Sequence, residues 1–139
     1  MLGAFLWGAK AQAALEEYRE EKCGAALVIT QNGYSPVIHK RTLRFDGTRT
    51  MTVTDELSQE AEAETNFLFA PGLKTSFEGQ SITLRGQGFR ADVRFSAGTP
   101  RKIPRECSRS YGLWEPTEGA AVSFTQTLTA EIVFQDLTK

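Results

Sequence analysis

At 139 residues, with 40% hydrophobic and 24% charged side chains, the chain is long enough for one domain with its own core. Its formal net charge of -1 argues against a nucleic-acid binder, and no apolar run is long enough to span a bilayer, so neither nucleic acid nor membrane is expected as a partner. One histidine and two distant cysteines exclude both a zinc-ligand spacing and a disulfide framework.

The chain opens on an apolar stretch, residues 1–7 (MLGAFLW), which needs a surface to pack against. It lacks the basic start and the unbroken apolar run of a working signal peptide. Residues 9–22 (AKAQAALEEYREEK) are good helix formers, and Ala11, Ala14, Leu15 and Tyr18 fall at helical spacing. The spacing predicts one N-terminal helix, stopped by Gly24. Residues 1–23 are therefore expected as an apolar segment plus helix, and residues 24–139 as the rest of a single domain. Cys23 and Cys107 read as free thiols of small apolar character, with one disulfide between them left open.

After Gly24 the pattern turns to short alternating runs between turn residues. Residues 25–30 (AALVIT) are rich in β-branched side chains. Asn32-Gly33 predicts a turn, and Pro36 suits the first residue of a strand. From Val37, the side chains of Val37, His39, Arg41, Leu43 and Phe45 share one face. The only histidine and an arginine thus fall on an apolar face, where they need polar partners. Asp46-Gly47 predicts a hairpin, followed by residues 50–54 with Met51 and Val53 inward. Asp55, Glu56, Glu60, Glu62 and Glu64 form an acidic stretch that reads as a solvated loop and strand edge. Further strands are expected at residues 63–69, 75–77, 81–85, 89–95, 121–125 and 129–134, with Gly86-Gln87-Gly88 as a turn. Turns every 8 to 12 residues or so predict an all-β antiparallel sandwich of about nine or more strands. Phe45, Phe67, Phe69, Phe77, Phe89, Phe95, Phe124 and Phe134 are expected to supply much of its core.

The chemistry-bearing residues are sparse. His39 has no G-x-S-x-G serine to serve, no phosphate-binding glycine loop opens a helix, and no carboxylate pair stands out. No cofactor or metal is expected, and no catalytic residue is assigned. Arg90, Asp92 and Arg94 share a strand face that reads either as a basic groove or as solvated surface. Tyr111 and Trp114 sit near a loop, where they either stack on sugar rings or cover one end of the core.

Five segments in order carry a resemblance: Gln31-Asn32-Gly33-Tyr34; His39-Lys40-Arg41; Val53-Thr54-Asp55-Glu56-Leu57; Asn66-Phe67-Leu68-Phe69-Ala70-Pro71-Gly72; and Ser108-Arg109-Ser110-Tyr111-Gly112. Together they resemble the C-terminal β-sandwich of the heparinase II/III-like polysaccharide lyases, over roughly residues 24–134. Gln31 departs from the pattern, standing where the family often has histidine. The resemblance implies part of an enzyme that cleaves an acidic, uronic-acid-containing polysaccharide by β-elimination, with a helical toroid as partner and a periplasmic or secreted location. The toroid carries most of the family's catalytic groups, so this chain is not expected to be catalytic alone. The alternative is a free-standing carbohydrate-binding or interaction module. His39, Arg41, Tyr111 and Trp114 are the candidate substrate-binding residues, with His39 and Arg41 expected chiefly to hold the fold.

Overall fold

The computed structural model describes residues 11–138. They form eleven strands: β1 (Ala13–Glu21), β2 (Gly24–Tyr34), β3 (Val37–Phe45), β4 (Thr50–Leu57), β5 (Ala63–Leu68), β6 (Lys74–Glu78), β7 (Ser81–Gly86), β8 (Phe89–Phe95), β9 (Arg101–Ser110), β10 (Leu113–Phe124) and β11 (Thr127–Asp136). The strands pair into an eight-stranded sheet, ordered β1-β2-β3-β4-β11-β8-β7-β6, and a three-stranded sheet, β5-β10-β9. All pairings are antiparallel, which gives the expected all-β sandwich.

The expected helix is absent from the described part of residues 9–22, where β1 stands instead. Helix propensity is a weak prior, and here the pairing of β1 with eight successive partners on β2 overrides it. A bulge between Leu15 and Glu17 breaks the strand's two-residue rhythm, which hides the strand in the sequence. The apolar residues 1–7 lie outside the described residues.

The turn expected at Asn32-Gly33 falls elsewhere. β2 runs through both residues, with a register irregularity between Gln31 and Tyr34, and the chain turns at Ser35-Pro36. Asn32 instead anchors the entry to β1: its side chain accepts from the Gln12 N–H at 2.7 Å, and its own N–H donates to the Gln12 carbonyl. The hairpin at Asp46-Gly47 is as expected. The Asp46 carboxylate accepts from the backbone N–H groups of Thr48, Arg49 and Thr50, and Gly47 takes a positive φ of 81°. These bonds, led by that from Thr50, hold the Asp46 carboxyl far below the usual carboxylate range.

The core lies between the sheets. Val53, Ile82, Leu84, Ala91, Val93, Phe95, Leu128 and Ala130 come from the large sheet, with Ala120, Val122 and Phe124 from β10 and Phe69 just after β5. Phe67 and Phe95 meet edge to face with centroids 5.6 Å apart. Of the eight phenylalanines expected inside, Phe45, Phe89 and Phe134 are each more than a third exposed. Phe45 lies on β3, and Phe89 and Phe134 lie toward the Asp136 end of β11. The small sheet thus covers only part of the large one: among the described residues, β1 and β2 contribute nothing to the core cluster. β11 lies in the middle of the large sheet, between β4 and β8.

Gly119 lets the small sheet close up, since a Cβ there would stand 2.5 Å from the Phe67 carbonyl oxygen. The cysteines are free, Cys23 exposed and Cys107 half-buried, so Cys23 does not act as a buried apolar residue.

Candidate functional site

Register carries the sequence pattern directly to the site. Ile29 on β2 stands opposite Arg41 on β3, Arg41 opposite Asp55 on β4, and Asp55 opposite Leu128 on β11. Directly opposed residues share a face. Arg41 and Asp55 therefore point the same way as Leu128, toward the space between the sheets. One step along, Gln31, His39 and Leu57 form the next row.

Asp55 is only 1% exposed, which overturns its expected place in a solvated acidic stretch. Its parity with Met51, Val53 and Leu57 puts it on the core side of β4, and it survives there because every side of it is bonded. Arg41 grips it with two bonds, Nε to Oδ1 at 2.7 Å and Nη2 to Oδ2 at 2.9 Å. His39 Nε2 lies 2.8 Å from Oδ1, and Thr65 Oγ1 donates to Oδ2 from β5 at 2.7 Å. Thr65 thereby links the small sheet to the large one. Burial disfavours the Asp55 carboxylate, but bonds from Arg41, Thr65 and His39 outweigh it and hold the carboxyl below its ordinary range. The bond to Asp55 likewise raises Arg41 above the usual guanidinium range, against the effect of its own partial burial.

The far nitrogen of His39 is also engaged. The Gly33 N–H donates to Gln31 Oε1 at 2.8 Å, which turns the Gln31 Nε2 toward His39 Nδ1 at 3.4 Å. That order of donors has His39 accept at Nδ1 and donate from Nε2. Among the described residues, no buried side-chain polar atom lacks a partner.

His39, Arg41 and Thr65 sit in the wall of an open cleft of about 650 Å³ between β3 and β5. Tyr34, Val37 and Gln31 line the same side, and Glu62, Glu64 and Asn66 the other. Glu64 is paired with Arg101. The arrangement can fix two sheets in register and present the Arg41 edge to a ligand. It offers no free base, because Asp55 accepts four bonds and both ring nitrogens of His39 are occupied. Among the described residues, no cluster of three or more metal-ligating side chains occurs.

The remaining candidates lie apart from this cleft. Tyr111 and Trp114 stand at the tip of the β9–β10 hairpin, with Tyr111 fully exposed and Trp114 69% exposed, so they do not cover the core. Arg90 is spent in an ion pair with Asp92 at 2.8 Å, which Thr83 also bonds. Asp55 and Thr65 are the site residues missed in the sequence. The parity of Asp55 with Val53 was the available signal; Thr65 gave none.

No family model matches the sequence, and no curated protein sequence matches it. Solved structures do match the fold. The heparan sulfate lyase HepC from Pedobacter heparinus is similar over 92% of this chain and 22% of its own, with a TM-score of 0.81 and 13% identity. A structure of heparinase III is similar over 89% of this chain and 21% of its own, with a TM-score of 0.76 and 14% identity. The chain spans about a fifth of the length of these proteins. At such identity the likeness is one of fold, and the expected heparinase-type β-sandwich is what the chain forms.

Proposed function

We propose that this chain is the C-terminal β-sandwich part of a heparinase II/III-like polysaccharide lyase, and that it is not catalytic alone. The observation that carries this reading is the match to a heparan sulfate lyase over 92% of the chain. The convergence of the ordered motifs supports it: the His39-Lys40-Arg41 segment and Asp55 meet in one buried network. A β-elimination needs a group that neutralises the uronate, a base that removes the α-proton, and an acid for the leaving oxygen. The groups here that could serve as base or acid, Asp55 and His39, are committed to each other. In this reading the helical toroid supplies the chemistry, in the periplasm or outside the cell. His39 and Arg41 hold the floor of the cleft, and the half-exposed Arg41 is available to a substrate carboxylate.

The exposed rings of Tyr111 and Trp114 favour a second reading, a free-standing carbohydrate-binding module. Incubation of the isolated chain with heparin, heparan sulfate or alginate separates these. The expected result is no unsaturated uronate absorbing in the ultraviolet, and its appearance would overturn the claim of an incomplete site. Tight binding without cleavage, abolished by Trp114→Ala, would favour the module.

A further inference from the structure

The outer face of the eight-stranded sheet, turned away from the cleft, carries a row of cations. Register sets Lys74 on β6 opposite Arg85 on β7, and Arg85 opposite Arg90 on β8. Their alternation with the buried Ile82, Leu84 and Ala91 puts all three on the outer side. Directly opposed side chains stand roughly 5 Å apart, and like charges so placed destabilise a sheet. Lys74 and Arg85 are exposed. Among the described residues neither has an ion-pair partner, in a chain whose formal net charge is -1.

One carboxylate, Asp92, stands beside the three cations. Arg90 donates to it from Nε at 2.9 Å and from Nη2 at 2.8 Å, which leaves Nη1 without a protein partner among the described residues. Thr83 donates to the same carboxylate, so Arg90 is held in one orientation. The other carboxylates on this part of the face, Glu78 and Glu131, stand in the row of Arg94. Arg90 and Arg94, four residues and roughly 13 Å apart along β8, both line an open hollow of about 460 Å³. The hydroxyls of Ser81 and Thr83, the Gln135 amide and the apolar Val133 line it too.

Hydroxyl and amide groups beside an apolar surface suit a sugar ring, and the flanking cations suit its anionic substituents. Among the described residues no aromatic side chain lines the hollow, so it lacks the stacking platform of a single-stranded nucleic-acid site. We propose that this outer face of β6, β7, β8 and β11 is a second binding surface for acidic polysaccharide. Lys74 and Arg85, backed by Arg90 Nη1, take a sulfate or carboxylate group there. The choice of polysaccharide rests on the lyase reading above. A polymer held on this side of the sheet is tethered near the cleft on the other, which raises its effective concentration there.

The test is a titration of this chain with a heparin oligosaccharide and with an alginate oligosaccharide, at low and at physiological salt. Lys74→Ala/Arg85→Ala is expected to bind about tenfold more weakly at low salt, with a shallower salt dependence. A loss for heparin alone supports a sulfate as the anion, and a loss for both supports a carboxylate. Lys74→Arg/Arg85→Lys should keep the parent's affinity. Arg19→Ala/Arg44→Ala removes as many charges near β1, from side chains already paired with glutamates, and should bind as the parent does. The Lys74→Ala/Arg85→Ala variant should unfold at or above the parent's midpoint, since it relieves opposed like charges. A lower midpoint would mean that these cations serve the fold and would overturn the site. So would no binding by the parent, undiminished binding by that variant, an equal loss in Arg19→Ala/Arg44→Ala, or equal affinity for a single-stranded DNA of matched charge. Each of these leaves the lyase reading standing, because that reading is tested separately by the release of unsaturated uronate.

Discussion

The eight-stranded sheet behaves as two sheets joined edge to edge. From β4 to β6 its inner face is covered by β5, β10 and β9, and residues such as Ile82 and Leu128 are 1% exposed. From β3 outward apolar side chains still share that face, across the bulge in β1, yet Leu15 and Tyr18 stay more than half exposed. The difference is not in strand chemistry, since both halves place apolar side chains on one face. It lies in what, among the described residues, is stacked above. Alternation therefore reports which face is meant to be dry, and only a second layer makes it dry. The Asp55 network stands at the border, where Thr65 of the small sheet reaches the last strand that the layer covers.

Removing the border should cost most. Asp55→Ala leaves the half-buried Arg41 guanidinium without its partner, and urea unfolding should show a loss of about 3 to 5 kcal/mol. Arg41→Ala combined with Asp55→Ala should lose clearly less than the two single losses added, as a double-mutant cycle would read. Under the covered half, Leu128→Ala should cost about 2 to 5 kcal/mol by the same measurement. Gly119→Ala should cost about 1 to 3 kcal/mol, because its Cβ has nowhere to go beside the Phe67 carbonyl.

The pH dependence follows from the border too. The Asp55 carboxyl titrates below its ordinary value of 3.8 in the folded chain. Its contribution is fully present above that ordinary value and is lost as pH falls through the lowered one. The parent should lose stability steeply below about pH 4, and Asp55→Asn should flatten that slope in unfolding curves recorded across the range. The smallest effect belongs to the uncovered half: Leu15→Ser should shift the stability of the isolated chain by less than about 0.5 kcal/mol. A larger shift would mean that something already covers β1.

Much of the covered half was legible in the sequence, because period-two alternation in residues such as Ile82, Leu84, Ala91, Val93 and Phe95 survives intact. The border was half legible. The parity of β3 put His39 and Arg41 on the apolar face, but Asp55 hid among neighbouring acids, and its partner Thr65 lies on another sheet. The uncovered half was misread where local preference and tertiary pairing disagree. Ala13–Glu21 is rich in helix formers, and its bulge spoils the alternation that would have marked a strand. Phe45, Phe89 and Phe134 were expected inside because a sequence shows which face they share, and not how far the opposing sheet extends.

The position of β11 carries a consequence for the order of assembly. β11 bonds β4 on one side and β8 on the other, and it brings Thr129 to Thr54, 75 residues earlier. Until residues 127–136 arrive, β1 to β4 and β6 to β8 are two ribbons with no backbone bonds between them. Each has an open edge that waits for the same strand. Closure is a late, long-range event, of the kind that slows folding and leaves paired edges exposed to other chains. The large sheet is continuous only once residues 127–136 are in place.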